Sequence, residues 1–280
     1  MGAVALLTLF SIAVLFLFQR LCGWNMTDVR MLKAVQTLQT VCVFVLPPLV
    51  VAYLWTGQPV RWLHLHETSC PVYLWLLVPL SILIAAPGIN LLAYFNQQMT
   101  LPAFLQPVED LMREMEQKAE IMTERFMQVS TVGGLLANIL IMALLPALGE
   151  EMSFRGLLFN AFTSQNATRA RVHLAIWGVA VVFSAVHFQF YGFVPRMLIG
   201  AYLGYLLVWT GSLWMPVLAH FTNNAFAVIA YFVAFRCQAD TGFLESFGTG
   251  GTLWAGILSL CLTAALIACI HKLAVRQHQK

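Results

Sequence analysis

Charge is what this sequence has least of. Only 10% of its 280 residues are Asp, Glu, Lys or Arg, against about a quarter in soluble domains. That scarcity, with 60% hydrophobic residues and a mean hydropathy of +0.79, excludes an ordinary water-soluble globule. The net charge of +3 is too small to suggest a nucleic-acid partner, and none is expected. No CxxC pair occurs among the six cysteines, and three of them lie inside apolar runs, so neither a thiolate metal site nor a disulfide framework is expected. No HExxH is present, which excludes a self-contained zincin helix. No polar segment is large enough to bury a core of its own, so no separate soluble domain is expected.

Continuous apolar runs are there instead. They read as helices, because a barrel strand would alternate. The expected fold is all-α, a polytopic transmembrane bundle of about eight spans. The first covers residues 3–18, with no cleavage signature behind it and Trp24 as an interfacial anchor. The second runs from about Val35 to Trp55, where Pro47-Pro48 should kink it or end it early. The third runs from Val72 to Phe95. His64 and His66, in the connection before it, read as surface residues. Residues 101–130 carry charge and apolar positions at helical spacing, and predict an amphipathic interfacial helix before the fourth span. The fourth span begins near Val132, and Pro146 predicts a bend in it. The fifth covers Val172–Tyr191, followed by a turn at Gly192–Pro195. The sixth covers Arg196–Thr210, with Gly200 and Gly204 suited to close helix contact. The seventh covers Leu213–Phe235. A Gly-rich loop, Asp240–Gly251, leads to the eighth, Thr252–Ile270, and a basic tail. Lys and Arg counts do not fix the sidedness. Asn25-Met26-Thr27 and Asn166-Ala167-Thr168 match the glycosylation pattern, which has meaning only in a eukaryotic secretory route.

One stretch breaks the apolar pattern. Glu150, Glu151 and Arg155 stand together between Thr131–Gly149 and Gly156–Asn166, which carry no charge. Ionisable groups inside a span are costly and are functional candidates by default. Glu151 and Arg155 are four apart in the favourable order and can pair. Glu150 is rotated by about 100° and stays free. The other polar groups of the later spans are His187, His220, Asn223 and Asn224. At ~1.5 Å per residue, Glu150 lies roughly 18–20 Å in from the end of a fourth helix that reaches Phe162. On the same scale His187 lies roughly 22 Å along the fifth span, and His220 and Asn224 roughly 11 and 17 Å along the seventh. These depths form one slab, provided the fourth helix is the long one. A carboxylate beside imidazoles can act in two ways. Two histidines and a carboxylate can hold a divalent metal such as Zn²⁺ with an open water position. Alternatively, Glu150 takes a proton from water directly while His220 and Asn224 stabilise an oxyanion. The structural alternative for each histidine or asparagine alone is an interhelical hydrogen bond.

The ordered set Glu150-Glu151-x-x-x-Arg155, Phe183-x-x-x-His187 and His220-x-x-x-Asn224 resembles the three-motif pattern of the CPBP family. This family comprises CAAX prenyl proteases and bacteriocin-processing enzymes, and is also called Abi. The resemblance covers about residues 132–235 and points to intramembrane metalloproteases similar to type II CAAX prenyl endopeptidases. It implies an eight-helix core in which Glu150 activates water. It also implies that His187, His220 and Asn224 bind metal or the oxyanion, and that Glu151 and Arg155 support them. The expected organisation is an accessory region at 1–130, a catalytic core at 131–236 and a last span with basic tail at 237–280. The expected partners are a peptide or protein substrate, lipidated or not, and the lipid bilayer. The expected place is a bacterial inner membrane. The competing readings are a non-catalytic immunity or scaffold protein of the same fold and a proton-coupled transporter. The absence of a convincing internal repeat weakens the transporter reading.

Overall fold

The computed structural model describes residue 20 and residues 28–66, 70–163 and 167–277. Those residues form helices, turns and connections, with no strand among them. Helix is what hydrocarbon demands, since every backbone donor and acceptor must find its partner within the segment. The expected first span, Trp24 and both glycosylation asparagines lie outside the described residues.

Among the described residues eight longer helices build the bundle: α1 (Val29–Thr56), α2 (Val72–Gln97), α3 (Gln106–Met127), α4 (Val132–Phe162), α5 (Arg169–Ala185), α6 (Phe193–Thr210), α7 (Trp214–Cys237) and α8 (Leu253–Gln277). Six segments among the described residues are long and apolar enough to cross a membrane. α5, with 17 residues, is about 25 Å long, somewhat short of a full hydrocarbon core. The chain is an integral, multi-pass membrane protein.

Proline does not end α1 early. Pro47-Pro48 neither end α1 nor break it; α1 continues to Thr56 and stops at Gly57, whose φ of 68° is left-handed. The turn before the prolines, Thr40–Val45, is widened to a π-helix, which takes up the displaced carbonyls. Pro48 has no N–H to offer the Phe44 carbonyl four residues back. The Ser153 hydroxyl of α4 donates to that carbonyl instead, at 2.9 Å. Pro146 acts likewise on α4: Ile139–Leu144 is a π-helical turn, and a second follows at Met152–Leu158. α4 is therefore the long alternative, and Glu150 lies at mid-depth.

Small residues bring neighbouring helices together. A Cβ on Gly200 would sit 3.1 Å from the Phe183 ring, and one on Gly204 3.0 Å from Ile176, so α5 and α6 meet where these glycines are. α2 and α8 meet at Gly88, where a Cβ would lie 2.7 Å from Leu260. There the Ser259 hydroxyl of α8 donates to the Ile84 carbonyl and accepts from the Gly88 N–H of α2. The buried core falls into two clusters. One joins Leu63 and Ala52 to α4, α5 and α6; the other joins α2 to α6, α7 and α8.

α3 is amphipathic, as its spacing predicts, but its buried face differs from the apolar count. Met112, Phe126 and Met127 are buried together with Glu109, whereas Leu111, Ile121 and Met122 are exposed, as suits contact with a membrane surface. Glu109 is tolerated inside because it accepts from the Leu101 N–H at 2.8 Å and from Arg113 at 2.7 Å. Three other boundaries shift. α5 stops at Ala185 instead of reaching Tyr191, and Phe193–Pro195 belong to α6 instead of a turn. The loop before α8 contains a short helix, Gly242–Ser246, and α8 continues past Ile270 through Lys272 and Arg276.

Two outcomes follow from these contacts. Gly248 has φ +105°, and a Cβ there would stand 2.2 Å from the Pro87 carbonyl oxygen. Gly248→Ala should cost roughly 2–4 kcal/mol in detergent unfolding, whereas Gly133→Ala, with open space around it, should change stability by under about 1 kcal/mol. The second concerns pH. The Leu101 N–H and the Arg113 guanidinium hold the Glu109 carboxyl below its usual value of 4.5. A depressed carboxyl stabilises the fold above that value and ceases to as pH falls through its lower native pKa. Hydrogen exchange at Leu101 should therefore be slow above pH 4.5 and accelerate on further acidification, and Glu109→Gln should remove that transition.

Candidate active site

α4 delivers three charged groups to the bundle interior, and two of them neutralise each other. Glu151 and Arg155 are 0% and 1% exposed, so water screens neither of them. Arg155 Nη1 donates to Glu151 Oε1 at 2.8 Å, and Nη2 donates to the Gly200 carbonyl of α6 at 2.8 Å. Gly200 has no side chain to block that approach; a Cβ there would lie 3.3 Å from Arg155 Nη2. The guanidinium lies over the Phe183 ring, 4.5 Å from its centre, a cation–π contact in a dry site.

The same carboxylate orients a histidine from another helix. His220 Nδ1, on α7, lies 2.8 Å from Glu151 Oε1. A carboxylate paired with arginine accepts, so Nδ1 carries the hydrogen and Nε2 of the neutral ring keeps its lone pair. His187 is fixed by a different route. It does not stand within α5, as the sequence reading has it, but two residues beyond the helix end. The next residue, Phe188, has a left-handed φ of 53°. His187 Nδ1 lies 2.7 Å from the Phe183 carbonyl, which can only accept, so here too the hydrogen is on Nδ1 and Nε2 is the free lone pair. Phe183 packs edge-on against both imidazoles, with ring centres 5.0 and 5.9 Å away.

Both Nε2 atoms face Glu150. His187 Nε2 is 3.9 Å and His220 Nε2 3.8 Å from Glu150 Oε2. That oxygen is buried and has no hydrogen-bond partner among the described residues. Three acceptor atoms thus point at one gap, an arrangement that requires a donor or a cation between them. As to a metal, the donor types and tautomers fit a divalent ion such as Zn²⁺. The spacing is wide by about half an ångström, since tetrahedral arms of ~2.0–2.1 Å give edges near ~3.3 Å. Among the described residues, no three His, Cys, Asp or Glu side chains are spaced to hold a metal as they stand.

The gap opens into a cavity of about 470 Å³ lined by Glu150, His187, His220, Asn223 and Asn224, with apolar walls that include Met142, Ile199 and Val228. Asn224 stands one turn beyond His220, and its Oδ1 accepts from Asn223 Nδ2 at 3.1 Å. All four residues expected to carry chemistry therefore line one cavity, and the expected supporting pair lies directly behind it. Three contributors escape the sequence reading. The Gly200 carbonyl anchors Arg155. Gln189 and Arg196 form a polar clamp beside the cavity, with Arg196 itself in the wall. Arg196 reads from sequence as an interfacial arginine at the start of a span; the available signal was a lone cation nine residues after His187 in an otherwise uncharged run.

The architecture defines a helical membrane protein whose polar centre, a carboxylate facing two imidazoles, is enclosed at mid-depth. Residues 132–226 match the family model described as type II CAAX prenyl endopeptidase Rce1-like. The matched segment contains every residue of the centre. Over 107 residues the chain is 32% identical to YpbD of Bacillus subtilis, described as uncharacterized; the match covers 37% of this chain and 46% of that protein. No solved structure matches.

Removing Arg155 would leave Glu151 charged in a dry interior with only the His220 N–H as its partner. Arg155→Leu should cost roughly 3–5 kcal/mol in thermal unfolding of the detergent-solubilised protein. The double variant Glu151→Gln with Arg155→Leu should recover part of that loss.

Proposed function

We propose that the protein is an intramembrane endopeptidase in which Glu150 activates the attacking water. The observation that carries this reading is the convergence of Glu150 Oε2 and two imidazole Nε2 lone pairs on one gap, at 3.8–3.9 Å. A water molecule is a small double donor and can bridge Glu150 Oε2 and one of the two imidazole Nε2 atoms. As its oxygen bonds to the scissile carbonyl carbon, Glu150 takes the proton and the carbonyl π pair moves to oxygen. In this reading Asn224 donates an amide N–H to that oxyanion. When the C–N bond breaks, Glu150 returns the proton to the leaving amine, which yields a new carboxyl terminus and a free amine. Glu151 holds His220 in the tautomer this requires, and the Phe183 carbonyl does the same for His187. Desolvation inside the bundle strengthens each of these interactions.

A divalent metal, held by His187 and His220 with Glu150, would supply carbonyl polarisation and a more acidic water. The apolar cavity walls suit membrane-associated peptides, prenylated CAAX-type tails among them, and the family match over residues 132–226 supports a peptide substrate. In this reading residues 131–236 form the catalytic core, the remaining helices are accessory, and the protein resides in a bacterial inner membrane.

Cleavage of a peptide library that includes lipidated C-terminal peptides tests the proposal in liposomes. Glu150→Gln should lower the rate roughly 10²–10⁴-fold, and Asn224→Ala roughly 10²–10³-fold. Loss on chelation with recovery on added Zn²⁺ assigns a metallopeptidase; indifference to chelator together with an absence of bound metal by elemental analysis assigns the glutamate mechanism. Retention of the biological phenotype by Glu150→Gln would replace the enzyme with a non-catalytic membrane protein of the same fold.

A further inference from the structure

Arg196 is the second arginine of the site, and its situation is the opposite of Arg155's. It stands in the first turn of α6 and lines the cavity that holds Glu150, His187 and His220. Its contacts are with a neutral residue: Nη1 donates to the Gln189 carbonyl at 3.2 Å and Nη2 to the Gln189 side-chain oxygen at 2.7 Å. Among the described residues no carboxylate forms an ion pair with it; Glu116 and, in the same cavity, Glu150 act on it only through space. A guanidinium carries five N–H donors, and Gln189 leaves the rest of the fork available. Gly192 keeps room beside it, since a Cβ there would lie 3.2 Å from Nη2. A permanent cation on the wall of an apolar intramembrane cavity is costly unless an anion meets it.

We propose that Arg196 is a specificity residue that receives a carboxylate of the peptide substrate, from its C-terminus or from an Asp or Glu side chain. The proposal rests on the peptidase reading above and deepens it. A planar fork matches a carboxylate with two parallel hydrogen bonds, which a lysine ammonium cannot reproduce. Gln189 pre-orients the fork, so little side-chain freedom is lost on binding. Gln189 is two residues from His187, which ties the anion site to the reacting centre. The bound carboxylate therefore belongs to a residue near the scissile bond.

The test takes the best-cleaved peptide of the library in three forms: unmodified, with a C-terminal amide, and with its Asp and Glu residues replaced by Asn and Gln. One of the two neutralisations should lower kcat/KM of the wild type roughly 10- to 100-fold, chiefly through KM, and the form that does so identifies the source. Arg196→Gln should abolish the difference between the charged and neutral forms, and Arg196→Lys should retain a small part of it. The ratio between forms is internal to each protein, so a general loss of activity does not mimic the effect. Equal cleavage of all three forms by the wild type would overturn the assignment and leave the peptidase intact. An undiminished ratio in the Arg196 variants, or an equal fall in kcat for every form, would also overturn it. Absence of any Glu150-dependent cleavage would remove the peptidase and this assignment together.

Discussion

The structure depends on one oxygen atom. Glu151 Oε1 accepts from Arg155 at 2.8 Å and from His220 Nδ1 at 2.8 Å, and so joins α4 to α7; through Arg155 and the Gly200 carbonyl the same network reaches α6. Lipid tails are as apolar as leucine, so burying hydrophobic surface gives membrane helices little reason to choose one neighbour over another. A charged network sealed from water gives them that reason, because a misplaced helix would leave a buried charge unpaired. Phe183 completes the seal, covering the guanidinium on one side and touching both imidazoles.

The long helix α4 has to pass Pro146 and still set Glu150 and Glu151 on the right sides. Its two π-helical turns do this work on either side of the glutamates. A π turn adds a residue to the local repeat, so side chains after it are rotated relative to an unbroken α-helix. α1 widens in the same manner beside α4, and the carbonyl freed at Phe44 is taken by Ser153, which lies between Glu151 and Arg155. Local backbone irregularity is thus answered by the neighbouring helix.

Much of the site was legible because a membrane makes polarity conspicuous. Glu150, His187, His220 and Asn224 stand out in uncharged surroundings, and simple depth along each helix places them together. Pairing of Glu151 with Arg155 follows from their separation by four. What the sequence did not reveal has physical causes. The end of α5 at Ala185 carries no Gly or Pro to announce it, so an apolar run reads as one span and His187 as a helical residue. The prolines of α1 read as a kink or an early end, whereas their effect is taken up in the preceding turn. Glu109 is buried while Leu111 is exposed, since two local donors satisfy the carboxylate and the membrane surface accepts the leucine. Arg196 is ambiguous in one dimension, as an arginine at a span boundary usually faces water.

The distance between Glu150 and its two histidines has a further meaning. Were the carboxylate one ångström closer, two acceptor atoms would be pressed together with no hydrogen between them. At 3.8–3.9 Å neither can satisfy the other. The separation is maintained from behind, by Glu151 and by the Phe183 carbonyl, which draw the opposite edges of the two rings away from the gap. The geometry therefore holds three acceptor atoms together without letting any one of them pair with another.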